Sequence, residues 1–232
     1  MALTTIAVPK IGPVLRHLTS YNSAPDEQTV ISLEAFMGLG KQAKTLTKAQ
    51  VDAALNYLSS SRYPLRNRAI LLLSVKAGLR AKEIASLTWD MATTSDGEIG
   101  NAIHLTNVAS KGRGGGRIIP LNKELRSALL DLRRSSSRGR PSPFVITTER
   151  TTRTSPQAIV NLFSRWYADL GFSGCSSHSG RRTFITNAAR KISTVGGSLR
   201  DIQALAGHSN LSTTQRYIES HAEAQRRIVE LV

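Results

Sequence analysis

The sequence is poor in cysteine and contains no long apolar run. A single cysteine, Cys175, excludes an internal disulfide and any zinc site built from several cysteines, and it suits a reducing compartment. No apolar stretch approaches the length of a membrane-spanning helix, and Pro9, Lys10 and Pro13 interrupt the apolar N-terminal residues, which no signal cleavage site follows. We therefore expect a cytoplasmic protein without membrane contact.

Acidic residues are also scarce. The chain has 31 Lys and Arg against 16 Asp and Glu, a net charge of +15, and residues 61–232 hold 26 of the basic and 12 of the acidic residues, a net of +14. A strongly basic folded domain indicates a polyanionic partner, because its cations replace the counterions condensed on phosphates. This favours nucleic acid over anionic lipid, and over a charge that serves only solubility.

Residues 1–45 are predicted to form an arm or linker, because prolines and polar residues interrupt them. Residues 46–232 are predicted to form one domain. Its first helix starts at Thr47, which makes a capping box with Gln50 ahead of apolar residues at helical spacing. Further helices are predicted over 66–77, 81–87, 178–191, 199–206 and 212–220, after Asn122, from Ser155 to Gly171, and in short pieces near 32–37 and 227–231.

A β-hairpin is predicted between these helices. Two short strands, 103–105 and 118–121, are predicted on either side of the glycine-rich segment 110–116. The predicted fold class is therefore α+β, mostly helical, with one small antiparallel sheet.

Several polar side chains stand at predicted helix ends or in loops. Each alone has a structural explanation: an arginine can cap a helix end, a lysine can be a solvated turn residue, a histidine can be buried, and a tyrosine can be half-buried with a wet hydroxyl. In chain order they are Arg80 with Glu83, Lys111 in the glycine-rich segment, His178 with Arg181, His208 after Gly207, and Tyr217.

Together these residues resemble the three motifs of the tyrosine recombinase (phage integrase) family. The segment at 78–87, GLRAKEIASL, is similar to the first arginine motif. The segment at 176–186, SSHSGRRTFIT, is similar to the second motif, and the segment at 199–219, LRDIQALAGHSNLSTTQRYIE, is similar to the third. The resemblance covers about residues 47–232. It implies the catalytic-domain fold of that family and a site-specific recombinase that integrates, excises or inverts double-stranded DNA through a 3′-phosphotyrosine intermediate. It also implies a homotetramer on paired DNA sites.

The chemistry of strand cleavage gives each residue a role. Without a metal ion, ATP or another cofactor, the reaction needs a nucleophile, an acid for the leaving 5′ oxygen and donors for the charge on the phosphate. Tyr217 is the candidate nucleophile, His178 the group that handles its proton and Lys111 the general acid. Arg113 and Lys82 are the alternatives to Lys111, although an arginine rarely gives up a proton.

The phosphate charge is assigned to two arginines and a histidine. Arg80 and Arg181 offer guanidinium forks that fit phosphate oxygens, and His208 can donate a further hydrogen bond. Glu83, one helical turn after Arg80, is expected to hold that arginine or a neighbour. Five basic residues are expected to contact DNA: Arg113, Arg117, Arg133, Arg134 and Arg182. For Arg133 and Arg134, a merely solvated loop remains an alternative.

The chain departs from the family's common layout ahead of Thr47. Most relatives carry a separate helical core-binding domain there, whereas residues 1–45 are irregular, as in the family's minimal members. An accessory DNA-binding protein is therefore a candidate partner. Three other functions remain open: a topoisomerase-like or telomere-resolving enzyme with the same residues, a catalytically idle DNA-binding regulator or accessory protein, and an RNA- or lipid-binding protein.

Overall fold

The computed structural model describes residues 42–110, 116–136, 141–217 and 229–230. We number its helices α1 to α8 in chain order: Lys48–Ser59, Pro64–Ala77, Ala81–Ser86, Lys123–Ser136, Pro156–Asp169, Ser179–Lys191, Leu199–Ala206 and Leu211–Gln215. The strands β1 and β2 lie between α3 and α4: Ala102–Leu105 and Arg117–Pro120. This confirms the predicted mostly helical α+β class. Of the helices described, none combines the length and the apolar character that a membrane crossing requires.

Helix α2 is the centre of the main core. Every residue from 69 to 75 is buried, as expected for a helix that is apolar on nearly all sides. It packs against α1, α4 and α6. Helix α1 begins with the predicted capping box, in which Thr47 and Gln50 each accept a hydrogen bond from the other's backbone N–H.

The two strands form the predicted antiparallel hairpin, each starting one residue earlier than expected. Ile103 pairs with Ile119, and both are buried, whereas His104 and Ile118 face outward. Successive side chains of a strand point to opposite faces. Arg117 therefore lies on the same inward face as Ile119.

A second, smaller apolar cluster joins α6 and α7. Its buried members are Ile185, Ile202 and Ala206, and Tyr217 packs against it. Helix α8 leads from this region to Tyr217. The cluster thereby fixes where the end of the third motif lies.

The predicted helix over 212–220 is wrong at residues 216–217. Helix α8 ends at Gln215, and Tyr217 lies in the following turn, where its N–H donates to the Thr214 carbonyl at 3.0 Å. Such bonds over three residues tighten the last turn of a helix. Two short 3₁₀ turns, Trp89–Met91 and Ile192–Val195, were not predicted. The predicted helix at 32–37 lies outside the described residues, as does the one at 227–231 except for 229–230.

Candidate active site

Arg80, Glu83 and Arg117 form a buried ion-pair cluster. The backbone N–H of Arg80 donates to Oε2 of Glu83 at 2.8 Å, and its Nη1 donates to Oε1 at 2.9 Å. From β2, Nη1 and Nη2 of Arg117 donate to Oε1 and Oε2, each at 2.9 Å. Each oxygen of the fully buried carboxylate thus accepts two hydrogen bonds. Glu83 thereby holds both arginines at the beginning of α3.

The surrounding cations keep Glu83 ionised. Burial by itself raises the pKa of a carboxyl group, but the hydrogen bonds and charge of Arg117, together with the N–H and charge of Arg80, lower the pKa of Glu83 below its ordinary value. Two cations share one anion. The cluster therefore carries a net positive charge, which suits a phosphate ligand.

Arg181 joins the first motif to the third. It lies in the first turn of α6 and is 3% exposed. Its Nη1 donates to the Gly78 carbonyl at 2.6 Å and its Nη2 to the Ala206 carbonyl at 2.7 Å, at the ends of α2 and α7. Carbonyls at a helix C-terminus carry negative partial charge and stabilise a cation. Burial, and next the charge of Arg80, lowers the pKa of Arg181 to about 10, so it remains a cation at neutral pH.

His208 lies beside these arginines. It is 9% exposed, and its Nδ1 is 3.0 Å from the Thr214 hydroxyl. Burial, followed by the positive charges of Arg181, Arg80 and Arg117, lowers the pKa of His208 to about 4. The imidazole is therefore neutral at pH 7. A hydroxyl that donates to Nδ1 leaves the proton on Nε2, which can then donate to a phosphate oxygen.

Tyr217 is half-buried next to His208. The two rings stack with their centroids 5.6 Å apart and their planes at 22°. Thr214 contacts both residues, since its hydroxyl hydrogen-bonds to the imidazole and its carbonyl accepts a hydrogen bond from the Tyr217 N–H. Tyr217 also interacts electrostatically with Arg181. Four of the six predicted catalytic residues therefore come together: Arg80, Arg181, His208 and Tyr217.

Of the other two predicted catalytic residues, the structure describes only His178. His178 is exposed, directly before α6, with its Nδ1 3.5 Å from the Ser177 hydroxyl. Lys111 and Arg113 lie outside the described residues. The alternative acid Lys82 is exposed on α3. Among the described side chains, no three of His, Cys, Asp or Glu are grouped so that they could hold a metal ion.

The basic residues predicted to contact DNA lie in different surroundings. Arg117 points inward with a side chain 7% exposed, and its contacts favour a role inside the protein over a phosphate contact. Arg133 is half-buried on α4, its guanidinium 5.3 Å from the centre of the Trp89 ring. Arg134 is exposed on α4, and Arg182 is half-buried on α6.

Sequence reasoning missed two contacts of this arrangement. Arg117 was not expected beside Glu83, although the alternation of β2 places position 117 on the same face as the apolar position 119. Thr214 was not singled out as the partner of His208. Its position six residues further on gives no signal by itself.

Comparison with known proteins identifies a family. Residues 44–224 match the phage integrase family. The tyrosine recombinase XerA of Pyrococcus horikoshii is 28% identical over 217 residues, which is 88% of this chain and 70% of that protein. XerC of a Shewanella species is 33% identical over 198 residues (81% and 62%), and XerD of Haemophilus influenzae is 30% identical over 195 (81% and 61%). The chain thus spans 61 to 70% of the length of these relatives.

Solved structures share the fold. The crystal structure of XerA recombinase gives a TM-score of 0.64 at 22% identity, over 81% of this chain and 64% of that one. The XerH recombinase bound to its difH substrate, in a pre-cleavage complex, gives 0.62 at 18% identity, over 80% and 53%. At these identities the likeness concerns the fold alone, that of the tyrosine recombinase catalytic domain. Since the family match covers residues 44–224 of 232, the chain belongs to the phage integrase family.

Proposed function

We propose that this protein is a site-specific recombinase that cuts and rejoins double-stranded DNA through a 3′-phosphotyrosine link to Tyr217. The observation that carries the proposal is the convergence of Arg80, Arg181 and His208 beside that tyrosine. The relatives named above are tyrosine recombinases, and several structures with the same fold contain DNA. These observations support DNA as the substrate.

In the proposed cleavage step, the Tyr217 oxygen attacks the scissile phosphorus. The bond between that oxygen and phosphorus forms while the bond from phosphorus to the 5′ oxygen breaks. His178 takes the phenolic proton and Lys111 protonates the departing 5′ oxygen. A 5′ hydroxyl then attacks the phosphotyrosine and releases Tyr217. Each phosphodiester is exchanged for another, so neither ATP nor a metal ion enters the reaction.

The arginines and His208 act on the phosphate during this step. Negative charge grows on the non-bridging oxygens as the fifth bond to phosphorus forms. Preorganised cations in a partly buried site stabilise that charge without having to move. Arg80 and Arg181 are held by the protein and cationic, and neutral His208 offers a donor without adding another positive charge.

Trapping of a covalent adduct tests the proposal. A nick beside the cleavage point makes the fragment that carries the new 5′ hydroxyl so short that it diffuses away, which prevents rejoining. We would incubate the full chain with a pool of nicked duplexes of randomised sequence, with chelator and without nucleotide, and recover protein–DNA adducts that survive denaturant. The proposal predicts adducts enriched in a common sequence, and transfer of the strand to a second duplex with that sequence. No adduct contradicts it, and relaxation of supercoils without transfer favours a topoisomerase.

We further propose a homotetramer on two paired DNA sites, because exchange between two duplexes breaks all of their strands and each break uses one Tyr217. An apolar C-terminal tail, Ile228, Val229, Leu231 and Val232, is the candidate contact between protomers. It lies outside the described residues except for Val229, which is 74% exposed. Truncation after Ala222 should weaken the pairing of two sites more than binding to one. We also propose that the protein acts in the cytoplasm and that an accessory DNA-binding protein assists it.

A further inference from the structure

We infer that Arg117 is a positioning residue: it neutralises the buried Glu83 carboxylate and thereby keeps two guanidinium nitrogens of Arg80 available for a DNA phosphate. The effect on cleavage rests on the function proposed above. The effect on Arg80 does not, because it is a property of the protein without DNA.

The guanidinium of Arg117 is occupied by the protein. Its Nη1 and Nη2 donate to the two oxygens of Glu83, and its Nε donates to the Leu205 carbonyl at 2.9 Å. The side chain is 7% exposed. One N–H on each of Nη1 and Nη2 is left over, but the side chain is so deeply buried that a phosphate could reach them only by displacing the surrounding protein, so a direct contact between Arg117 and DNA is disfavoured.

Arg117 and Arg80 share Glu83 unequally. Arg117 takes both carboxylate oxygens with its fork, whereas the side chain of Arg80 contributes Nη1 alone. Within the part of the chain that the structure describes, Nε and Nη2 of Arg80 have no protein acceptor, and this side chain is 26% exposed. Arg80 is thus anchored by one nitrogen and can offer the others to a ligand.

Loss of Arg117 would change this division. A buried carboxylate needs a cation and donors for both oxygens. With Arg117 removed, Arg80 is the nearest remaining arginine, and a guanidinium fork fits a carboxylate with two parallel bonds. Arg80 would then turn its free nitrogens towards Glu83 and away from the phosphate position.

Arg117 also binds β2 to the third motif. The Leu205 and Ala206 carbonyls are adjacent at the end of α7, and they accept from Arg117 and Arg181 respectively. Arg117 is the first residue of β2 and follows Lys111, the proposed acid, by six positions. The Arg117 side chain therefore connects the strand after the glycine-rich segment to Glu83, which also binds Arg80, and to the helix end that binds Arg181.

The pH dependence of cleavage should report on the same contact. Glu83 faces Arg80 on its own element, Arg117 from β2 and Arg181 from α6, and His208 lies among the same cations. Without Arg117, burial would raise the pKa of Glu83. As pH falls, the deficit of the Arg117 variant relative to the parent should therefore shrink, because protonated Glu83, like a neutral amide, no longer draws Arg80 away from the phosphate position.

Arg126 provides a matched control. It is half-buried on α4, and its Nε and Nη2 donate to the Gly100 and Ile99 carbonyls. Like Arg117, it is tied to backbone carbonyls, but neither of these bonds involves a carboxylate. Arg126→Met therefore removes a packed arginine without touching Glu83.

The first experiment needs no DNA. In the full chain labelled with ¹⁵N-arginine, the guanidinium N–H signals of Arg80 are followed by NMR. Arg117→Met should shift these signals and slow their exchange with water, whereas Arg126→Met should leave them unchanged. Arg117→Lys, which keeps the charge but loses the fork, should give an intermediate shift and serves if the Met variant does not fold. Unchanged Arg80 signals in the folded Arg117 variants would overturn the inference.

The second experiment measures single-turnover cleavage of the nicked duplex selected above. Misplacement of a substrate-binding group typically slows an enzyme by up to about 100-fold, and we expect a loss of this order for Arg117→Met with DNA affinity nearly unchanged. Adding Glu83→Gln should restore part of the rate, because a neutral amide no longer draws Arg80 away. A further loss in the double variant would contradict the inference. If the wild-type chain forms no adduct, the proposed function fails, while the NMR result still decides the role of Arg117.

Discussion

At the scale of single residues, His208 shows how the site sets a charge state. Burial has the largest effect, the charges of Arg181, Arg80 and Arg117 add to it, and together they lower the pKa of His208 to about 4. The unfolded chain takes up this proton nearer the ordinary 6.5, at a higher pH than the folded chain. The free energy of unfolding therefore decreases as pH falls from 6.5 to about 4.

We predict that an NMR titration of the His208 ring protons without DNA gives a midpoint near 4. Bound DNA should move the midpoint upward, because a phosphate offsets the nearby positive charges. His208→Gln should remove part of the stability loss that the parent shows between pH 6.5 and 4. A midpoint at or above 6.5 in the free protein would show that the imidazole is not buried beside Arg181, Arg80 and Arg117.

Lys111 can be tested by the chemistry of the leaving group. Protonation of a departing alkoxide is worth roughly two to four orders of magnitude in rate. A thiolate departs without a proton. Lys111→Ala should therefore cleave ordinary DNA very slowly, yet recover most of its rate when sulfur replaces the bridging 5′ oxygen.

Arg80→Ala and Arg181→Ala are the controls for that substrate. Their charge is still required when the leaving group is a thiolate, so neither variant should recover. If Lys111→Ala stays equally slow on both substrates, the lysine only positions other groups, and Lys82 becomes the next candidate for the acid.

At the scale of elements, the end of α7 depends on a glycine. Gly207 has φ +62°, a left-handed conformation, and a Cβ at this position would lie 2.9 Å from Nη1 of Arg117. Gly196 has φ +69° at the end of a 3₁₀ turn, with no atom within 4 Å of such a Cβ. The two positions thus differ mainly in what the added methyl group would meet.

We predict that Gly207→Ala slows DNA cleavage and Gly196→Ala does not. Both substitutions carry the cost of a left-handed residue with a side chain, about 1–2 kcal/mol in the free energy of unfolding. Only the first pushes against Arg117, and through it against Glu83 and Arg80. Denaturant unfolding measures the shared cost, and single-turnover cleavage measures the difference. Equal cleavage by the two variants would argue against the contact as a determinant of the site.

Elements with strong local signals could be predicted from the sequence. The capping box of Thr47, the apolar run in α2 and the paired strands around a glycine-rich segment lie within a residue or two of their predicted positions. The end of α8 could not be predicted, because nothing between Gln215 and Tyr217 interrupts a helix and a tertiary contact places the tyrosine. Local sequence carries no information about that contact.

The site was predicted as a set of residues but not as a set of contacts. The motifs name Arg80, Arg181, His208 and Tyr217, and the structure brings them together. That Arg181 binds two helix ends, or that Arg117 shares Glu83 with Arg80, depends on elements distant in sequence. Such pairings follow from the packing of α6, α7 and β2 and not from any local pattern.

At the scale of the whole molecule, charge dominates the expected interaction with DNA. Residues 61–232 carry a net charge of +14. Each phosphate that a protein neutralises releases condensed counterions, so affinity falls as salt rises. We predict that the affinity for duplex DNA falls by roughly a decade or more over a few-fold rise in salt, measured by fluorescence anisotropy. A flat response would argue against any role in binding nucleic acid.

Tyr217→Phe shows whether Tyr217 forms the covalent bond to DNA. The substitution keeps the ring that stacks on His208 and removes only the hydroxyl. Both proteins are incubated with the selected nicked duplex, DNA binding is measured in parallel, and the adduct is digested and its linked peptide identified. We expect a wild-type adduct at position 217 and, for Tyr217→Phe, undiminished DNA binding with no adduct. An adduct formed by the Phe variant would show that another residue is the nucleophile.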